Sequence, residues 1–94
     1  MQAVVYIMAS APYGTLYVGV TAHLKQRVWQ HKNRVDQGCF TARYKIFNLV
    51  YFETCESMSS AIRREKLLKR WRRSWKVDLI ERTNRDWRDL YASI

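Results

Sequence analysis

"AVVYIMASAPYGTLYVGV", residues 3–20, is the stretch whose reading decides the fold. Its opening "AVVYIM", residues 3–8, is rich in β-branched and aromatic side chains and reads as a buried strand. "SAPYG", residues 10–14, holds the only proline of the chain and a glycine, a turn signal. "TLYVGV", residues 15–20, is a second strand, and so short a connection makes the pair an antiparallel hairpin. Gly19 inside that strand is costly unless a bulge or a closely approaching group requires it.

Outward from the hairpin, Thr21 is placed to cap a helix running to about Val35, with Leu24, Val28 and Val35 as its buried stripe. At about 100° per residue, Arg27 and His31 fall on the flank of that stripe, one turn apart. "DQGCFTARYKIF", residues 36–47, reads as a loop and "NLVYFETC", residues 48–55, as a third strand. A helix from about Ser57 to Trp71 follows, then a shorter one capped by Ser74 and running to Glu81. "TNRDWRDLY", residues 83–91, is expected to end the chain as a last turn packed by Trp87 and Tyr91. The order ββα, loop, βαα describes an α+β domain with a small three-stranded antiparallel sheet flanked by helices. One domain over residues 1–94 is expected, with a core at about 3–80 and a tail at 81–94.

Composition narrows the function. The 94 residues suffice for one modest core, and 48% hydrophobic content argues against disorder. Lys plus Arg number 17 against 8 Asp plus Glu, a formal net charge of +9. Such an excess on a small domain points to a polyanion, because neutralising phosphates releases counterions. Nucleic acid is favoured over an anionic membrane surface, since no basic helix has a strongly apolar opposite face. Cys39 and Cys55 are too few for a disulfide framework or a zinc cluster and read as reduced thiols. The N-terminus lacks the charge of a signal peptide and the length of a membrane span, so a cytoplasmic protein is expected.

Several positions could carry chemistry. In "AIRREKLLKRW", residues 61–71, Glu65 falls within about 60° of Met58, Ala61 and Ile62 on the helical wheel, interrupting an apolar arc. Two readings stand: an i, i+4 pair with Lys69, or a ligand for a hard cation such as Mg²⁺, which suits one or two carboxylates completed by water and phosphate oxygens. Arg27 and His31 are either surface charge with a satisfied histidine, or a phosphate clamp beside a proton acceptor. Tyr6 and Tyr17, on adjacent strands, are either core or phenols whose acidity a neighbouring cation could raise. Trp29 lies opposite the stripe and faces solvent or a partner. Trp71 and Trp75 could interleave with arginines as a nucleic-acid surface, although packing of two helices is the preferred reading.

Taken in order, "VVYIM", then "LYVGV" with its tyrosine eleven residues on, then Arg27 with His31, then "RREKLLK", resemble the GIY-YIG nuclease superfamily. The pattern is most similar to its small single-domain members of the UPF0213 type, and similar to the nuclease domain of the repair protein UvrC. The resemblance implies roles by position. Tyr6 and Tyr17 match the tyrosines of the two tripeptides, the second being the usual activator of the attacking water. Gly19 matches the closing glycine, Arg27 the arginine that stabilises the transition-state phosphate, and His31 a position that assists proton transfer. Glu65 matches the single metal-binding glutamate, for Mg²⁺ or Mn²⁺. Val4 stands where the family's first tripeptide opens with glycine, and Asn84 is assigned to the family's late asparagine. The implied activity is metal-dependent endonuclease or exonuclease cleavage of DNA, in repair or processing. The competing reading is a nucleic-acid-binding module of the same fold with little or no cleavage, and a third is a scaffold using Trp29. Substrate, cut position and oligomeric state stay open.

Overall fold

The hairpin forms where the sequence places it. In the computed structural model, which describes residues 3–33 and 44–94, β1 (Ala3–Ala9) pairs antiparallel with β2 (Leu16–Thr21). β3 (Asn48–Cys55) pairs antiparallel with the other edge of β1, giving the order β2-β1-β3. The central strand is buried along its whole length, which explains why its sequence is a continuous apolar run rather than an alternating one.

The two faces of β1 carry two cores. Val5, Ile7 and Ala9 pack with Val18, Val50, Ala61, Leu68 and Ile80, beneath α2 (Met58–Arg70) and α3 (Arg73–Thr83). Tyr6 and Met8 point the other way, toward Val28 of α1 (Leu24–Lys32) and toward Ile46 and Leu49. A 3₁₀ turn, Leu90–Ser93, closes this second face, with Leu90 and Tyr91 packed on it, while Trp87 is buried in the first core. The α+β class and its three-stranded sheet are as expected, and so is the packing of the tail by Trp87 and Tyr91.

The helix boundaries differ in detail. Thr21 is the last residue of β2, and its hydroxyl accepts from the His23 N–H at 3.0 Å instead of capping a helix. α1 starts at Leu24 with His23 at the N-cap and no side-chain cap bond. Val35, Cys39 and most of the expected loop lie outside the described residues. α2 begins where expected, and Ser57 is its N-cap, through a reciprocal pair of bonds with Ser60. Ser74 does not cap α3, since Arg72 holds that position and the helix begins one residue before Ser74. Arg73 is instead tied to the hairpin turn, donating to the carbonyls of Tyr13 at 2.7 Å and Gly14 at 2.6 Å.

Asn84 fixes the tail. The β1–β3 register shifts between Ile7, opposite Tyr51, and Met8, opposite Leu49, which leaves Val50 as an extra residue. The bulge turns the Val50 carbonyl to the Asn84 Nδ2, which donates to it at 3.1 Å and to the Arg88 carbonyl at 2.8 Å. Asn84 Oδ1 accepts from the Arg88 N–H at 2.9 Å, so the buried amide is fully used by backbone groups. Asn84→Ala leaves buried donors and acceptors without partners and is expected to lower stability by about 1–3 kcal/mol in a denaturant titration, with Asn84→Asp also destabilised through loss of the Nδ2 bonds.

Candidate active site

The site is built around Tyr6. Its cross-strand partner in β2 is Gly19, and the Tyr6 ring packs directly against that glycine. A Cβ at position 19 would stand 2.5 Å from both the Tyr6 Cζ and its Oη, closer than non-bonded atoms can approach. Gly19 is therefore required by the close approach of Tyr6, the second of the two explanations the sequence offered for it. With the ring held there, Tyr6 Oη reaches the Nε2 of His31 on α1 at 3.1 Å.

Tyr17 stands two residues before Gly19 in β2, opposite Met8 and on the same face as Tyr6. Its ring lies 6.3 Å from that of Tyr6 and meets the His31 imidazole edge to face at 5.5 Å. Arg27, one turn before His31, sets its guanidinium against the phenol oxygens of Tyr6 and Tyr17. Four side chains from β1, β2 and α1 thus converge on one spot. The sequence placed Arg27 and His31 together on a flank. The structure separates their roles, with His31 buried in the stripe beside Leu24 and Val28, and Arg27 exposed.

Electrostatics assign proton states. Burial pushes the Tyr6 phenol up to about 12, with Tyr17 adding to the effect and Arg27 opposing it. Tyr6 is therefore protonated at neutral pH. Burial, with the adjacent charge of Arg27, holds His31 down to about 4, so its imidazole is neutral. We assign the Tyr6 proton to the bond with Nε2, which places the imidazole proton on Nδ1. Burial works against the charge of Arg27, but the oxygens of Tyr6 and Tyr17 outweigh it, and its pKa lies above the ordinary arginine value. Gln30, which the sequence reading passed over, accepts from Arg27 Nη1 at 3.1 Å and steadies the guanidinium. Its i, i+3 spacing from Arg27 was the available signal.

Glu65 faces the same cluster from α2. Only Ala61 and Leu68 of that helix are fully buried, while Met58 and Ile62 are exposed. The buried arc is narrower than the wheel suggested, and Glu65 borders it instead of interrupting it. The Glu65 side chain is 16% exposed and pairs with Lys69 Nζ at 3.3 Å. Its charge is near enough to Tyr6 to add to the upward shift of the phenol. Among the described residues no group of three or more His, Cys, Asp or Glu is gathered for a metal. The donor set on offer is one half-buried carboxylate, which fits a hard divalent ion completed by water and phosphate oxygens and does not fit a closed protein cage. Asn84, committed to Val50 and Arg88, is not brought into this cluster.

Residues 2–78 match the model of the GIY-YIG catalytic domain. The chain belongs to the GIY-YIG family. It is 31% identical over 87 residues to a UPF0213 protein of Desulfotalea psychrophila, covering 93% of this chain and 78% of that one. A UPF0213 protein of Syntrophus aciditrophicus is 30% identical over 67 residues, covering 71% of this chain and 77% of that one. No solved structure matches at comparable stringency. Membership makes the chain a small GIY-YIG protein of a nuclease-type superfamily, whose substrate class is nucleic acid. Among the described residues no helix is long and apolar enough to cross a membrane.

The buried imidazole of this GIY-YIG site gives a pH signature. The unfolded chain takes up a proton at His31 near 6.5, whereas the folded chain does so only near 4. Stability contributed by the neutral ring is full above pH 6.5 and is lost as pH falls through that window, by on the order of 3 kcal/mol at most. An NMR titration should find the His31 imidazole neutral at pH 5.5. The acid loss of stability should shrink in His31→Gln.

Proposed function

We propose that this GIY-YIG protein is a divalent-metal-dependent nuclease that hydrolyses DNA phosphodiester bonds, acting in the cytoplasm in repair or processing of DNA. The observation that carries this reading is the convergence of Tyr6, Tyr17, Arg27 and His31 on one spot within electrostatic reach of Glu65. A domain that only bound nucleic acid would gain nothing from a protonated phenol bonded to a neutral imidazole beneath an exposed guanidinium. Its charge of +9 would suffice.

Glu65 would hold Mg²⁺ or Mn²⁺, with Lys69 yielding the carboxylate when the ion binds. When bound, such an ion offsets negative charge on the phosphate and on the leaving oxygen. Arg27, an exposed residue, is suited to grip a non-bridging pair of phosphate oxygens and to stabilise the charge that develops there. Gln30 fixes the plane of the guanidinium before the phosphate arrives. Tyr17 Oη is the proton acceptor facing the attacking water. Tyr6, protonated, keeps its proton and donates to His31, so it orients the site and does not act as the base. His31, held by Tyr6 and edge to face with the Tyr17 ring, would orient Tyr17 and assist the proton transfer there.

The test is cleavage of branched, single-stranded and duplex DNA with and without Mg²⁺ or Mn²⁺. Chelation should abolish cutting by the wild type. Glu65→Gln, Tyr17→Phe and Arg27→Ala are each expected to lower the rate about 100-fold or more. Binding of Glu65→Gln to DNA should persist and weaken steeply with salt. Undiminished cleavage by Glu65→Gln removes the metal assignment. Salt-sensitive binding without cleavage of any substrate establishes the binding-module reading instead.

A further inference from the structure

A second concentration of chemistry lies at the corner between α2 and α3. Trp71 ends α2, and Trp75 sits in the first turn of α3. Their rings meet edge to face, with centroids 5.9 Å apart and planes at 86°. Trp71 is packed against the core, but Trp75 is 49% exposed. The preference for helix packing therefore accounts for the first indole and not for the second. Trp75, Asp78, Leu79 and Arg82 follow one another on one face of α3 at i, i+3, i+4 and i+7, and with Trp71 they line a cleft of about 300 Å³. Its floor is the buried Leu79, its wall is aromatic, and a carboxylate and a guanidinium stand at its rim.

The surroundings are cationic. The Arg72 guanidinium lies 5.0 Å from the centre of the Trp75 ring, and that of Arg64 lies 5.2 Å from Trp71. Arg64 is already paired with Glu53, whereas Arg72, stacked on its indole, keeps its in-plane N–H groups for a phosphate. Arg70 and Arg73 flank the same corner. Among the described residues, neither Asp78 nor Arg82 forms an ion pair that would use up the rim. An acidic peptide would answer the charges but leave the flat indole wall unexplained. A planar ring with a hydrogen-bonding edge, attached to a phosphate chain, answers both.

We propose that this cleft binds an unpaired nucleobase of a single-stranded segment adjoining the substrate, stacked on Trp75, with the neighbouring phosphate held by Arg72. The inference rests on the nucleic-acid reading above and adds a feature of substrate choice to it. Trp71 is the C-cap of α2, six residues and so about 9 Å of helix axis beyond Glu65, a span that one strand can cover. The chain would then favour DNA with an unpaired stretch beside the cut over fully paired duplex.

The experiment compares binding of the full chain to oligo(dT) and to an abasic sugar–phosphate oligomer of equal length. Wild type should prefer oligo(dT) and show quenched tryptophan emission on binding it. Trp75→Ala should lose about 5- to 100-fold in affinity for oligo(dT) while its affinity for the abasic oligomer holds. Trp75→Phe, which keeps an aromatic ring and spares the fold, should retain most of the preference. Cleavage of fully paired duplex by Trp75→Ala should match wild type. Equal affinity of wild type for the two oligomers overturns the proposal, as does an equal loss for both in Trp75→Ala. If wild type cuts duplex and these results appear, the cleft alone is misassigned. If wild type binds neither oligomer and cuts nothing, the nuclease reading falls with it.

Discussion

The contact between the Tyr6 ring and Gly19 is the constraint on which the site depends. It is possible only because the central strand and its partner are in register there and because position 19 carries no side chain. From that contact the Tyr6 hydroxyl is aimed at His31, and α1 is held against the sheet by a polar bond in addition to Val28 and Leu24. The same face then receives Tyr17 from the neighbouring strand. A buried, protonated phenol is expensive to place in an apolar core unless its oxygen is satisfied. His31 and Arg27 satisfy it, and they also leave the site charged on its solvent side only.

The fold supplies two opposed faces for two tasks. One is an apolar core beneath α2 and α3, closed by the Asn84 amide on the β-bulge and by Trp87. The other carries the aromatic and cationic cluster, closed by the 3₁₀ turn and by the ion pair of Asp89 with Lys32. Asp89 also accepts from the backbone of Leu49 at 3.1 Å, so the tail is fastened to the sheet beside the cluster. The short chain thus spends its C-terminal residues on rigidity around the site, in line with the need to hold reacting groups in place.

Much of this was legible in the sequence. The hairpin announced itself because β1 is buried on both faces and reads as an unbroken apolar run, and the start of α2 at about Ser57 was legible too, though not the cap that Ser57 forms there. Thr21 and Ser74 misled because capping propensity is local, whereas the chain's entry into α1 and α3 is set by the strand end and by the bonds of Arg73 to the hairpin turn. The wheel overstated the buried face of α2, since it cannot know that Met58 and Ile62 are left exposed. It also could not choose between the two fates of Glu65. The structure shows the first, a largely buried carboxylate paired with Lys69, and places its charge near enough to Tyr6 to push the phenol up. Asn84 was singled out for a resemblance, yet its environment is that of a backbone clamp.

The central claim is that Glu65 and the tyrosine hairpin form a single metal and phosphodiester site. Paramagnetic broadening by Mn²⁺ in the NMR spectrum of the intact chain tests it most directly. The account predicts broadening centred on Glu65 and on the β1–β2 residues around Tyr6 and Tyr17, and its disappearance in Glu65→Gln. Broadening centred elsewhere on the molecule, or unchanged in Glu65→Gln, would contradict it.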